Sequence, residues 1–314
     1  MLICGNYLVV DYSHALGDGL LGAVLLALLG GADGVHPAML AKDLPKWAIW
    51  TAALRHFVLN PVNALRVLSL RRTNNEVVQP TGANRIADWE SARCGFTALI
   101  EPATLAELRS WASRRYPGMS CASLTVALLA AALRDEGIEV DERVTVLVDC
   151  RRYLAARHRE SQGNLAAGIP IRVPAGSSPL DVRRQMRKAI EARRPFARLV
   201  IAEVKARLMG GSMAADRRPG ADDVDVPDRV RLTVSDLGRL RILEGLRWKT
   251  NAQLPSASAY VETDGPDAID IEVTELLGAQ SVTASFCSKM IPPSVIATAF
   301  KRMCDDPFGV LESL

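Results

Sequence analysis

Lysine is scarce in this chain. Seven of the 38 basic residues are Lys and the rest are Arg, a bias that matches a high-GC coding sequence and carries no chemistry of its own. A strong excess of either sign is also missing: 38 basic against 35 acidic residues leave a net charge of +3. Basic residues do not accumulate beside the few aromatics, so the footprint of a nucleic-acid-binding protein is absent. No Lys or Arg precedes Lys42, and a secretory signal needs a basic stretch before its apolar run. No apolar run approaches the ~20 residues that span a bilayer. The six cysteines include no C-x-x-C pair, which argues against a zinc site or a disulfide framework. Cys4, Cys121, Cys150 and Cys287 lie in apolar runs and are expected to be buried, reduced thiols. Together these absences predict a cytoplasmic protein. No internal repeat is present.

What the chain has is a core-forming composition, 49% hydrophobic over 314 residues, enough for about two domains or lobes. Leu2 to Tyr12 reads as a strand and Leu20 to Leu29 as a helix apolar on all faces. Pro45 to Arg72 reads as two short helices broken at Pro61, with an aromatic stripe at Trp47, Trp50 and Phe57. That stripe would pack on a neighbouring lobe or, alternatively, touch a membrane surface. Residues 73 to 93 are polar and predict a linker.

From Phe96 the pattern is regular. Strands are predicted at Phe96–Ile100, Arg143–Asp149, Asn164–Val173, Arg231–Ser235, Ala268–Glu275 and Gln280–Cys287. Helices are predicted at Pro102–Tyr116, Ser120–Arg134, Leu180–Arg194 and Pro293–Met303, with Pro117-Gly118 and Gly137 as stops. Met209–Asp228, rich in Asp, Gly, Pro and Arg, reads as an unusually long loop.

The chemistry concentrates in Ser13-His14-Ala15-Leu16-Gly17-Asp18-Gly19. A strand-to-helix corner presents an imidazole there, with a carboxylate four residues on. Histidine titrates nearest neutral pH and is the default proton acceptor for a hydroxyl or amine nucleophile.

Four elements in order resemble the condensation-domain and chloramphenicol-acetyltransferase-like acyltransferase superfamily. His14-Ala15-Leu16-Gly17-Asp18-Gly19 resembles its H-x-x-x-D-G motif. Val148-Asp149-Cys150-Arg151-Arg152 resembles its strand ending in a hydrophobic-Asp-x-Arg turn. Gly163-Asn164 resembles its Gly-Asn element. Ser235-Asp236-Leu237-Gly238 resembles the Ser-Asn-Leu-Gly element of the alcohol-acyltransferase, wax-ester-synthase-like branch. The resemblance implies an α/β fold of two α+β sandwich lobes, with residues 1–80 carrying the motif in an incomplete N-terminal lobe and residues 94–314 forming the C-terminal lobe. It implies acyl transfer from acyl-CoA or a carrier-protein phosphopantetheine thioester to a hydroxyl or amine, with no bound cofactor and no metal. His14 would be the general base and Ser235 an oxyanion donor. Asp18 and Gly19 would shape the loop, Arg151 would fasten Asp18, and Asn164 and Gly238 would be structural at the site. The Ser-Asp-Leu-Gly element tilts the expectation toward O-acyl transfer.

Three departures from the family pattern stand out. Ser13 replaces the first histidine of the motif, Asp236 replaces the usual Asn and puts a negative charge near the cavity, and only thirteen residues precede His14. The last raises the alternative of an inactive remnant, or of a half completed by another polypeptide. Blander readings also stand: Ser235 as an ordinary strand-end serine and Arg151 as a surface arginine. Gly17-Asp18-Gly19-Leu20-Leu21-Gly22 also matches the dinucleotide fingerprint G-x-G-x-x-G. There, however, Asp18 would sit beside the pyrophosphate, and the chain does not continue as βα units. A His14–Asp18 metal pair lacks an evident third ligand.

Overall fold

Val144, Val146 and Val148 alternate with Thr145 and Leu147, the period of a strand with two different faces. In the computed structural model, which describes residues 1–14, 16–45, 47–72, 84–208, 223–249 and 253–314, this segment lies inside a six-stranded mixed sheet. The strands are β4 (Arg93–Ile100), β5 (Arg143–Asp149), β6 (Ala166–Arg172), β8 (Arg231–Arg239), β9 (Ala268–Leu276) and β10 (Ala279–Cys287), in the order β4-β10-β9-β8-β5-β6. The β4/β10, β10/β9 and β5/β6 pairs are antiparallel, whereas β8 is parallel to both β9 and β5. The β9–β10 turn, Leu277-Gly278, has positive φ at both residues, the twist that two-residue hairpins need.

One face of the sheet is apolar. Val146, Leu232, Val234, Ile271, Val273 and Phe286 pack there beneath α4 (Pro102–Arg115), α5 (Cys121–Asp135), α6 (Pro179–Glu191), α9 (Pro293–Asp305) and α10 (Pro307–Glu312). The alternate residues of the same strands, Thr233, Ser235, Asp270, Glu272, Thr283 and Ser285, make the second face polar. Even so, Ser235, Glu272, Thr283 and Ser285 are buried. Part of the cover is the extended segment 253–263. Ala257 accepts from the Thr274 hydroxyl, Val261 N donates to Ser285 Oγ (3.2 Å), and the Tyr260 hydroxyl meets Thr97 Oγ1 (2.8 Å). A buried sheet face made of hydroxyls and carboxyls is the kind of surface that lines a site.

The mixed helix-and-sheet architecture agrees with the α/β expectation. The N-terminal strand expectation does not hold. Residues 2–12 form a short hairpin, β1 (Leu2–Cys4) with β2 (Tyr7–Val9), because Gly5 takes a left-handed φ of +57° and turns the chain back. Cys4 and Cys121 are exposed, whereas Cys150 and Cys287 are buried. Apolar neighbours in sequence therefore do not place a thiol inside. α1 (Gly19–Leu29) forms as expected but leaves Leu20 and Leu29 partly open. α2 (Ala48–Ala53) runs through a π-turn at Leu54–Val58 into α3 (Pro61–Arg72). Its aromatics meet the C-terminal part: Phe57 stacks on Phe196 (5.9 Å), and Arg207 lies over Trp50.

Phe196 belongs to α7 (Arg194–Leu208), a helix the Arg194-Pro195 step hides in the sequence. Pro195 is tolerated because it occupies the first turn, where an amide has no helical partner. Most of the polar linker 73–93 and of the loop 209–228 falls outside the described residues. Their described ends, Asn84–Ala87 (β3) and Asp223–Val226 (β7), pair as a two-stranded sheet. The chain continues after β8 into a single helical turn, α8 (Arg241–Glu244). Among the described residues no helix is long and apolar enough to cross a membrane.

Candidate active site

The corner between the hairpin and α1 is held by Asp18. Its side chain caps the helix, accepting from Leu20 N (3.2 Å), and its backbone carbonyl accepts from the Tyr12 hydroxyl (3.0 Å). The Asp18 carboxylate also takes Leu165 N (3.1 Å) and a bidentate pair from Arg151 Nη1 (2.8 Å) and Nη2 (3.2 Å). Both partners are buried, Asp18 at 6% and Arg151 at 4% exposure. Taking two charges out of water is costly unless every donor is met. Here all five guanidinium N–H groups have acceptors: Asp18 twice, Asp149 Oδ1 (3.2 Å), the Ser161 carbonyl (2.9 Å) and the Gly163 carbonyl (3.0 Å). The surface-arginine reading of Arg151 is therefore wrong. Burial lowers the Arg151 pKa, but the Asp18 and Asp149 carboxylates outweigh it and the net shift is upward.

The dinucleotide reading loses its physical basis here. The Asp18 carboxylate occupies the amide at the start of α1 that a pyrophosphate would use.

Gly19 opens α1 directly against β8. A Cβ at Gly19 would stand 2.7 Å from Leu237 Cδ2, so the bare backbone is what lets the motif loop approach the Ser235-Asp236-Leu237-Gly238 strand end. That strand end is bent by a bulge between Asp236 and Gly238. Gly238 has a φ of +64°, and its amide donates to Asp236 Oδ1 (2.9 Å). The Asp236 carboxylate is therefore turned back onto its own strand, and its burial raises its pKa.

His14 is exposed, in a turn closed by Leu16 N donating to Ser13 O (2.9 Å). Its Nδ1 lies 3.2 Å from Asn164 Nδ2. Two arrangements follow from the chemistry of the two groups. With the amide nitrogen at Nδ1, that ring nitrogen accepts and the neutral ring carries its hydrogen on Nε2. With the amide turned so that Oδ1 faces the ring, Nδ1–H donates and the Nε2 lone pair is free to act as a base.

Ser235 is 6% exposed and lies beside Glu272, its register partner on the same face of β9. Among the described residues it makes no hydrogen bond to His14. Glu272 was not anticipated from the sequence, where it reads as a strand residue without a motif. Burial drives its pKa up to about 8, with Asp270 and Asp236 adding to the shift and the Ser235 contact opposing it. Asp270, two residues earlier on the same face, is raised to about 6, first by burial. Tyr12 is raised by burial first, then by the charges of Asp18 and Glu272.

No protein-family model matches the chain, and no curated protein sequence does. Solved structures do. The epimerization domain from the third module of tyrocidine synthetase B superposes with a TM-score of 0.55 at 11% identity, over 95% of this chain and 67% of that one. The first condensation domain of the calcium-dependent antibiotic synthetase gives 0.54 at 18% identity, over 96% and 62%. The condensation domain that mediates chain release from the enacyloxin polyketide synthase gives 0.53 at 16% identity, over 96% and 57%. The chain thus spans about three-fifths to two-thirds of the length of these neighbours. They do not single out the alcohol-acyltransferase branch. With its α/β architecture matched over nearly its whole length, the chain shares the fold of these epimerization and condensation domains.

Proposed function

We propose that the chain transfers an acyl group from a thioester, on CoA or on a carrier-protein phosphopantetheine, to a hydroxyl acceptor, with an amine as the second choice. His14 acts as the general base. With Asn164 Oδ1 holding Nδ1–H, Nε2 removes the acceptor proton as its oxygen attacks the thioester carbonyl. The tetrahedral intermediate collapses with cleavage of the C–S bond, and the imidazolium returns the proton to the leaving thiolate. Ser235 donates to the oxyanion, an interaction typically worth roughly 3 kcal/mol. Asp18, Gly19 and Arg151 fix the loop, and Gly238 lets β8 bend toward it.

The observation that carries this reading is the saturated Asp18–Arg151 lock. It ties the His14 loop to the β5–β6 end of the sheet. A buried ion pair with every donor used is an expensive way to hold a loop, and it supports a loop whose position matters.

The test is thiol release from a panel of acyl-CoAs with candidate alcohols. His14→Ala is expected to lower the rate by about 10² to 10⁴ while leaving the melting profile unchanged. Equal release by both proteins overturns the assignment of the base.

A second reading, a half completed by another polypeptide or a catalytically inactive remnant, is favoured by one observation. The hairpin presents Leu2, Ile3 and Tyr7 to solvent at 62%, 69% and 59% exposure. A stable, monodisperse monomer in gel filtration would count against a missing partner.

A further inference from the structure

The sheet row that ends at Ser235 contains a carboxyl group that the acyl-transfer steps do not use. Thr97, Thr283, Glu272 and Ser235 are successive register partners across β4, β10, β9 and β8. Glu272 is 8% exposed. Among the described residues Glu272 has no ion pair, and after burial the charges that raise its pKa are Asp270 on its own strand and Asp236 on β8, both acidic. Its charge also raises the pKa of Tyr12, in the segment before α1. From β10 it meets Thr283, which does not titrate. A carboxyl group buried among acids, with no cation to pair it, is stable only when neutral.

That matters for Ser235, because a hydroxyl has one hydrogen. A carboxylate is an acceptor only, whereas a carboxylic acid can donate. Beside an ionised Glu272, the Ser235 hydrogen is drawn to the carboxylate and is lost to any oxyanion.

We propose that Glu272 is a positioning residue for Ser235: as a neutral acid it donates to Ser235 Oγ, which frees the Ser235 O–H to point at the acyl oxygen, and ionisation of Glu272 withdraws that donor. The proposal rests on the reading of Ser235 given above. Neutral Glu272 and Ser235 then form a two-step donor chain, in which each bond polarises the next. Glu272 needs no contact with substrate to do this. The rise of its pKa to about 8 agrees with a group that is mostly protonated at neutral pH and releases its proton in mild alkali.

The experiment compares pH profiles of kcat for thiol release in the unaltered chain, Ser235→Ala, Glu272→Gln and Glu272→Ala. The unaltered chain is expected to lose activity above about pH 8 and to level off near the Ser235→Ala rate, about 10² to 10³ lower. Glu272→Gln, whose amide N–H₂ donates at every pH, should lack that alkaline limb. It should also recover most of the roughly tenfold loss expected of Glu272→Ala at pH 7. A limb that persists in Glu272→Gln overturns the proposal, as does a Ser235→Ala variant with unchanged kcat. If His14→Ala is inactive while Ser235→Ala is not, acyl transfer stands and the donor chain falls.

A second measurement does not depend on turnover. The infrared difference spectrum between the unaltered chain and Glu272→Gln at pH 7 should contain the C=O stretch of a protonated carboxyl group. That band should shift in Ser235→Ala. Its absence at pH 7 overturns the proposal whatever the kinetics.

Discussion

His14 and Asn164 make a pair whose chemistry depends on which amide atom faces the ring. Replacing Asn164 by Ala removes the group that can hold Nδ1–H, and a drop in kcat with little change in KM is expected. Asn164→Asp keeps an acceptor for Nδ1–H and should retain more of kcat than Asn164→Ala, as steady-state rates would show. Arg151 tolerates less. Arg151→Ala leaves the Asp18 carboxylate buried and unpaired, a loss of about 3–5 kcal/mol that a denaturant titration would measure. Lys at this position offers three donors where five are used, so Arg151→Lys should recover only part of that loss. At this scale the sequence reveals residue types that belong to a motif. His14, Asp18, Arg151 and Ser235 are found because the resemblance names them. Tyr12, Ser161 and Glu272 take part through a hydroxyl, a carbonyl and a register position, and none of these leaves a spacing to read.

The elements meet where glycine permits. α1 can lie against the end of β8 because Gly19 has no side chain to strike Leu237, and it can lie under Tyr12 because a Cβ at Gly22 would stand 2.7 Å from the Tyr12 hydroxyl. Gly19→Ala should displace Leu237 and lower activity more than stability. Gly22→Ala should break the Tyr12–Asp18 link as well. Thermal melts set beside rates would separate the two. Most strands and helices of 94–314 are legible from alternation, caps and stops. Ser120 and Ser178 do cap α5 and α6. What escapes the sequence has physical causes. The hairpin at Leu2–Val9 is missed when Leu2–Tyr12 is read as one strand, although Gly5-Asn6 stands between two short apolar runs as a two-residue turn. α7 hides behind a proline that belongs to its first turn. The β3–β7 pair joins segments about 140 residues apart, beyond the reach of any local signal.

For the molecule as a whole, the polar sheet face governs the response to pH. Glu272 and Asp270 hold protons in the folded state, at pKa values of about 8 and about 6, that the unfolded chain releases near its ordinary carboxyl values. The folded chain therefore binds more protons across this window, and stability falls as pH rises through it. The expected result is a melting temperature that declines between pH 5 and pH 8, with a shallower decline in Glu272→Gln. The outer surface carries apolar ground of its own. Val58, Leu59, Val62 and Leu65, on the π-turn and α3, are largely open to solvent.

The Asp18–Arg151 lock also has a consequence in time. Its partners stand 133 positions apart in the chain, and the carbonyls that complete it belong to the turn leading into β6. Closing so long a loop is repaid only once that turn is already in place. The segment bearing His14 is therefore ordered last. In refolding, the signal of the assembled sheet should return before the proposed release of thiol, and the interval between them measures how long the chain exists as a finished scaffold still waiting for its His14 loop.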